Sequence, residues 1–492
     1  MCGIVGISAE HQVVAELYDG LSTLQHRGQD AAGIMTFDGR QFHSKRGDGY
    51  VRDVFRRGDV ERLVGQLGLG HVRYPTAGSY DVRETQPFFV NAPHGLALVH
   101  NGNLTNTEKL RAELNRNNVR HLNTSSDSEI LLNVFAEELW REKMRKTSPQ
   151  KIFAAVSRTM KRIAGSYAVI IMIAGHGMLA FRDPLGLRPL CLARSRGAAR
   201  SNFLVASESV TAAALDYDLI GDFAPGEAVF ISEVGKLSRK QCQPTRWSPC
   251  IFEHVYLARP DAVIDKISVY KARLRSGEYL AQEIKKANLS IDVVVPVPDT
   301  SRSAALTVAQ ELGVKYREGL IKNRYVARTF IMPTQAKRNK SIRHKLIPIE
   351  LELRNKNILL VDDSIVRGNT SRKIVEMVRS VGAKKVYMAS ASPALRHPCP
   401  YGVDMPSRGE LLAHNLTTEQ ICKAINADAL FYLPLKGLVG ACRSGNSEIK
   451  KFCTACFDGK YPTKEVTPKY LADCERARAA SRGVDDGQLT LL

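Results

Sequence analysis

Ile358-Leu359-Leu360-Val361-Asp362-Asp363-Ser364-Ile365-Val366-Arg367-Gly368-Asn369-Thr370-Ser371 reads as a buried strand that ends in two acids, turns, and enters a helix. The run Ile358 to Val361 carries no polar residue to face water, as expected of a parallel strand covered on both sides. Beyond the turn, Ile374, Val378 and Val381 recur at helical spacing and mark a buried face. A loop rich in hydroxyls with Gly368, leading into a helix N-terminus, offers backbone N–H groups that can cradle a phosphate. Asp362 and Asp363 can take ribose hydroxyls or hold Mg2+, a hard cation that prefers oxygen ligands. Taken alone, two adjacent acids at a strand end are more often a solvated turn.

Working outward, strands are expected at 293–296 and 386–389 and helices at 278–286, 303–312 and 370–381. That alternation predicts βαβ units in a doubly wound parallel sheet, with ligands beyond the carboxyl ends of its strands. Val293 to Ser301 is a second strand running into a polar turn, where Thr300 and Ser301 are candidate ligand contacts. Between the two turns, Lys322 to Lys345 holds Lys322, Arg324, Arg328, Lys337, Arg338, Lys340, Arg343 and Lys345 with no acid. Such a run is in isolation a solvated face or a nucleic-acid patch.

Upstream of about residue 235 the pattern differs. Short β-type runs at 4–7, 68–72, 96–100, 167–173 and 203–206 are separated by Gly, Pro and Asn, with amphipathic helices at 14–24 and 128–138. Lys236 to Trp247, polar and flanked by Pro244 and Pro249, reads as a connector. The expected division is 1–240, 241–470 and a tail 471–492, with a solvated helix over 469–482. At 492 residues, 44% apolar and 24% charged, the chain has the composition of a globular protein, not of a disordered, collagenous or disulfide-scaffold one. Its longest apolar stretch, Ala168 to Ala174, is far short of the roughly 20 residues of a membrane helix. No secretory signal is legible at the start, and a cytoplasmic protein is expected. A net charge of +20 suits nucleic acid, anionic lipid or phosphorylated small molecules. Ten cysteines in such a chain argue for reduced thiols.

Cys2 follows the initiator Met, and its small side chain predicts methionine removal. A free α-amine, with a pKa near 8, can then take the proton from the thiol of the same residue, which supplies nucleophile and base together. The alternative is a cysteine that merely opens a buried strand. The neighbouring motifs are Cys2-Gly3-Ile4-Val5-Gly6, Leu24-Gln25-His26-Arg27-Gly28-Gln29-Asp30, His71-Val72-Arg73-Tyr74, His100-Asn101-Gly102-Asn103-Leu104 and Ser125-Ser126-Asp127-Ser128-Glu129, in that order. This set resembles the class II glutamine amidotransferases. The resemblance implies an N-terminal-nucleophile fold, a four-layer αββα sandwich, and hydrolysis of the glutamine side-chain amide through a thioester. It implies Cys2 as nucleophile, the Asn101 side chain and the Gly102 N–H as oxyanion hole, and Arg73 with Asp127 as holders of the glutamine carboxylate and amine. These types suit the roles: a tetrahedral intermediate needs preorganised donors, and arginine grips a carboxylate in bidentate fashion.

The segment 358–371 closely resembles the loop by which type I phosphoribosyltransferases bind 5-phosphoribosyl-1-pyrophosphate (PRPP). The resemblance implies PRPP contacts at Asp362, Asp363, Ser364, Arg367, Gly368, Thr370 and Ser371, and a pyrophosphate loop at Thr300 and Ser301. It places Mg2+ among Thr300, Asp362 and Asp363, and Arg324 and Tyr325 in a lid that closes over PRPP. Asn369 departs from the threonine usual in that family, which puts a hydroxyl contact there in doubt. Glutaminase followed by phosphoribosyltransferase resembles the glutamine PRPP amidotransferases from Cys2 to about Tyr461. That family makes 5-phosphoribosylamine from glutamine and PRPP at the first committed step of purine synthesis. It implies glutamine and PRPP as substrates, purine-nucleotide feedback inhibitors, a homotetramer, and no nucleic-acid or membrane partner. In one branch a [4Fe-4S] cluster is held at positions corresponding to Cys250, Cys399, Cys453 and Cys456, all cysteine here. Cys442 is a possible substitute ligand and tetrahedral Zn2+ a competing metal. Two rivals remain at this stage: a PRPP-sensing regulator that binds nucleic acid, and an amidotransferase for another sugar phosphate.

Overall fold

A computed structural model describes residues 1–74, 82–118, 120–197, 202–323, 346–405 and 407–477. The expected lid residues Arg324 and Tyr325, and the tail beyond residue 477, lie outside the described residues.

The first half stacks two antiparallel sheets. One runs in the order Tyr217–Asp222, Cys191–Ser195, Phe203–Ala206, Gly3–Ser8, Leu67–Arg73, Ala31–Phe37, Phe42–Asp48. The other runs Leu237–Gln241, Glu227–Ser232, Gly177–Arg182, Gly165–Ile173, Leu96–Leu104, Phe88–Val90. Successive residues of a strand face opposite layers. Ile4 therefore packs between the sheets with Val99, Ala168 and Ile170, while Val5 and Ile7 pack outward under Leu17 and Leu21 of the helix Val14–Thr23. Gly6 sits where the sheets approach closest: a Cβ there would come within 2.8 Å of Ile170 and Met178. On the far side, Ile130, Leu132 and Phe135 of Asp127–Arg141 and Phe153 of Pro149–Arg162 cover Leu98, Val169 and Ile171. The layers are helix, sheet, sheet, helix, the expected αββα sandwich.

The second half is a parallel sheet in the order Lys315–Tyr316, Val293–Pro296, Asn357–Asp362, Lys385–Ser390, Ala429–Tyr432. Leu359 and Val361 face Leu280 and Val308 of the helices Val269–Lys285 and Arg302–Leu312. Ile358 and Leu360 face Ile374 and Val378 of Asn369–Ser380 on the other side. The sheet is doubly wound, and its order reverses between Val293–Pro296 and Asn357–Asp362. In an open α/β sheet, ligands bind at the carboxyl ends flanking such a reversal.

Two expectations need correction. Within the expected connector, Leu237–Gln241 is an edge strand paired to Glu227–Ser232. Its alternation is hidden because an edge strand tolerates the Lys and Arg that keep it from pairing further. The helix expected over 278–286 begins at Val269, where the Ser268 hydroxyl accepts from the Lys271 N–H at 3.4 Å. Residues 468–477 of the expected tail helix are helical.

A buried ion-pair seam joins the halves. Arg27 pairs with Glu208 and, at 2.8 Å, with Glu253, whose other oxygen takes Arg188 at 3.2 Å. Burial alone would raise the Glu208 pKa, but Arg27 and His26 hold it at about 2. Its stabilising effect is therefore complete above the ordinary glutamate value of 4.5 and fades as the pH falls toward 2. Glu253→Gln leaves two guanidinium groups in the interior with one carboxylate fewer. We expect a loss of about 3–5 kcal/mol, read as a fall in the urea midpoint.

Candidate functional site

The strand Gly3–Ser8 pairs with Leu67–Arg73 so that Gly3 lies opposite Val72. Cys2 thereby meets the end of that strand, and its Sγ lies 3.8 Å from the Tyr74 carbonyl oxygen. Gly3 is obligatory for this approach, since a Cβ would come within 2.9 Å of Val72 and 3.0 Å of Leu24. The α-amine of the encoded chain, on Met1, is buried, and burial pushes its pKa down to about 6.

On the facing sheet, Asn101 is buried and its Nδ2 has no hydrogen-bond partner among the described residues. A buried donor without a partner costs free energy unless something else accepts from it. Gly102 follows at φ +153°, where a Cβ would lie 2.1 Å from the Ser166 carbonyl oxygen. Arg73 donates to Glu84 at 2.7 Å, and the other Glu84 oxygen accepts from the Ser125 hydroxyl at 2.5 Å. Asp127, at the start of its helix, accepts from the Leu104 N–H at 2.9 Å. Arg73 is thus tied through Glu84 and Ser125 to the segment that leads into Asp127.

Sequence reasoning quoted His71 and His100 inside motifs but gave them no role. His100 shares a 3.0 Å hydrogen bond with Ser128, and its N–H donates to Gln86 at 2.6 Å. Neither ring nitrogen of His71 has a partner among the described residues. Burial, then the nearby Arg73, keeps its pKa well below the ordinary value, so the ring is neutral.

The second constellation forms at the sheet's reversal point. Asp362 closes its strand and accepts the Asp363 N–H at 2.9 Å; Asp363 accepts from the Ser364 hydroxyl at 2.8 Å and from the Thr300 side chain. Burial raises the Asp363 pKa to about 6 and, with the adjacent Asp363 charge, holds Asp362 well above the carboxylate range. Two desolvated acids side by side are a site short of positive charge, which fits a divalent cation. The Ser301 hydroxyl is spent on the Val297 carbonyl at 2.5 Å, so only its backbone remains for a ligand. Gly368 caps the helix Asn369–Ser380 at φ +75°, and a Cβ there would lie 2.4 Å from Leu412. Thr370 and Ser371 occupy the first turn, and Arg367 reaches Glu410 at 3.0 Å. Sequence reasoning missed Arg273 behind this site. Its buried guanidinium donates to the carbonyls of His254 and Ala258 at 3.0 and 2.8 Å and lines a small cavity with Thr300, Ser301 and Asp363.

Cys250, Cys399, Cys453 and Cys456 line one cavity with Arg188 and Tyr401. Cys250 and Cys453 are bridged backbone to backbone, and the Cys456 carbonyl accepts the N–H groups of Arg396 and His397, just before Cys399. Burial pushes the Cys250 thiol up to about 11 and those of Cys453 and Cys456 well above the ordinary value. Among the described residues, no group of three or more His, Cys, Asp or Glu converges as it would on a single ion. Cys442 is buried, but it does not line this cavity.

A glutamine amidotransferase domain model matches residues 79–214 and a phosphoribosyl transferase domain model residues 268–401. The amidophosphoribosyltransferase of Pseudomonas aeruginosa is 54% identical over 97% of this chain and 96% of its own length. That of Escherichia coli is 52% identical over 96% of this chain and 94% of its own. Among solved structures, glutamine PRPP amidotransferase from B. subtilis, complexed with ADP and GMP, superposes with TM-score 0.84 at 36% identity, covering 95% of this chain and 98% of that one. No helix among the described residues is long and apolar enough to cross a membrane.

Proposed function

The chain belongs to the amidophosphoribosyltransferases, which use glutamine to aminate PRPP in purine biosynthesis, and we propose that the two constellations described above divide that reaction between them. With the initiator methionine removed, the Cys2 amine takes the thiol proton and the thiolate attacks the glutamine amide carbon. The developing oxyanion accepts from the Asn101 Nδ2 and the Gly102 N–H, while Arg73 and Asp127 fix the substrate's carboxylate and amine. Collapse of the tetrahedral intermediate expels ammonia and leaves a thioester, which water cleaves to glutamate. The observation that carries this reading is the buried Asn101 donor without a partner among the described residues. It is the arrangement an oxyanion hole requires before substrate arrives.

Ammonia then attacks C1 of PRPP and displaces pyrophosphate. The helix start at Asn369–Ser371, the loop 364–368 and the turn at Thr300–Ser301 hold the phosphates, and Asp362 and Asp363 take the ribose hydroxyls and a metal. Asp362, Asp363 and Thr300 would hold Mg2+, which would supply positive charge to the leaving diphosphate. Free ammonia near pH 7 is mostly protonated, so a water-excluding path between the sites is part of this reading. Phosphate binding would explain the eight basic residues of 322–345 without nucleic acid. Purine nucleotides as feedback inhibitors, a homotetramer and a cytoplasmic location complete the proposal. The test is PRPP-dependent release of glutamate and pyrophosphate from glutamine, in equal amounts. Absence of pyrophosphate release with glutamine and with ammonia alike overturns the assignment of the second site.

The four cysteines suit a [4Fe-4S] cluster. Cys250, Cys453 and Cys456 are buried and Cys399 is half-buried around one cavity with Arg188 as the neighbouring cation, so four thiolates there would need further positive charge, which iron would provide. Cys250, Cys399 and the Cys453–Cys456 pair would hold such a cluster, which would tie together the segments that carry them. Anaerobically purified protein is expected to contain about four iron and four sulfide per chain, and Cys399→Ser to lose most of both. Zinc in place of iron, or no metal, rejects the cluster and leaves the enzyme assignment intact.

A further inference from the structure

The strand Leu96–Leu104 has ladder partners on both sides only as far as Leu98; from Val99 on, Gly165–Ile173 alone pairs with it among the described residues. Asn101 and Gly102 stand on that stretch, which the Gln86 side chain holds at the His100 N–H and carbonyl and Asp127 at the Leu104 N–H. An oxyanion hole works only if its donors are held to about half an ångström. Something other than the sheet must fix them.

Residues 400–402 of the parallel-sheet half lie across this stretch. The Asn103 Nδ2 donates to the Pro400 carbonyl at 2.9 Å. The Ser166 hydroxyl, opposite Asn103 in the ladder, donates to the Tyr401 carbonyl at 2.8 Å and accepts the Asn103 N–H at 3.2 Å. Buried Arg188 also donates to the Tyr401 carbonyl, at 2.9 Å from its Nε, and the Tyr401 hydroxyl bonds Thr463 at 2.8 Å. Next in the chain, Gly402 has φ +88°, and a Cβ there would lie 2.8 Å from the Gly102 carbonyl oxygen. A segment of one half, itself held by Arg188 and Thr463, thus lies against the strand at Gly102 and Asn103.

We propose that residues 400–402 are a positioning brace for the glutaminase oxyanion hole, fastened through Asn103 and Ser166 and set against Gly102 by Gly402. The inference rests on Asn101 and Gly102 serving as that hole. Asn103 and Gly402 are positioning residues: they touch no reacting atom and act through the placement of the Gly102 N–H and the Asn101 side chain.

Asn103→Ala, Gly402→Ala and Asn101→Ala are compared with the unaltered full-length protein for glutamine turnover, Cys2 alkylation by iodoacetamide and ammonia-dependent pyrophosphate release. Alkylation needs the thiolate but builds no oxyanion, so it separates the hole from the nucleophile. Asn103→Ala and Gly402→Ala are expected to lower kcat for glutamine hydrolysis by about 10–100-fold, with KM for glutamine within about twofold. Cys2 alkylation and ammonia-dependent turnover stay within about twofold in both. The brace is overturned if kcat is unchanged in Asn103→Ala, or if alkylation falls in step with kcat, which marks general damage to the site. If Gly402→Ala does not fold, Asn103→Ala decides. Normal glutamine turnover in Asn101→Ala rejects the oxyanion-hole reading itself, whereas a defect in Asn101→Ala with none in Asn103→Ala rejects only the brace.

Discussion

Cys2→Ser is expected to abolish glutamine-dependent amination, by at least ~10³-fold, while ammonia-dependent release of pyrophosphate from PRPP persists. Serine keeps the position and nearly the size of the thiol, so the strand pairing of Gly3 with Val72 is undisturbed. What changes is the nucleophile. An α-amine that titrates near neutrality can deprotonate a thiol, but a hydroxyl is far too weak an acid to be ionised by it in appreciable amount. The acid pair at Asp362 and Asp363 stands on a different sheet, which is why the second reaction is spared. The check is a side-by-side assay of glutamate and pyrophosphate with each nitrogen source. Loss of both reactions would mean that Cys2 is needed for the fold or for PRPP binding, and the division of labour would fail.

The two halves were legible in the sequence for different reasons. In the parallel half the signal is local: Ile358 to Val361 alternates between two helix layers, yet both layers are apolar, so the run reads as continuous and its end at two acids marks the site. In the antiparallel half the strands Gly3–Ser8 and Leu67–Arg73 carry glycines where layers touch, and the ordered motifs placed Cys2, Asn101 and Asp127 before any geometry was known. The seam was not legible. Arg27 and Glu253 are 226 positions apart, and nothing beside either residue announces a buried partner. The same holds for Arg273, which sits on a helix as an ordinary basic residue until His254 and Ala258 turn their carbonyls toward it. Asn103 stands within the His100–Leu104 motif, but its hold on Pro400 comes from the docking of one half on the other. Local pattern picks out the residues proposed to meet substrate; the residues that hold those in place are chosen by tertiary contacts with no spacing of their own.

Asp362→Asn gives the mirror image of the cysteine variant: pyrophosphate release falls by at least ~10³-fold with either nitrogen source, while Cys2 remains reactive toward iodoacetamide. The substitution keeps an oxygen that can accept the Asp363 N–H, now made at 2.9 Å, so the loop geometry has no reason to change. It removes one of two negative charges from the place where diphosphate and metal are proposed to meet. The same change should stabilise the metal-free protein. Burial, and then the adjacent Asp363 charge, hold the Asp362 pKa well above its ordinary value of 3.8. An acid whose folded pKa is raised favours unfolding once the pH exceeds its unfolded value, and the cost grows until the pH passes the folded one. Asparagine carries no charge at any of these values. The variant's advantage in melting temperature should therefore be small near pH 4, grow as the pH rises, and reach a few degrees above neutrality, corresponding to ~1–3 kcal/mol. Saturating Mg2+ with PRPP should narrow the gap, because binding stabilises only the chain that retains both acids. A variant that loses catalysis and also melts lower at every pH would show that Asp362 supports the fold, and its place among the metal-holding residues would have to be withdrawn. Higher stability bought at the expense of activity is the pattern expected where a site holds two like charges together for a ligand it does not yet contain.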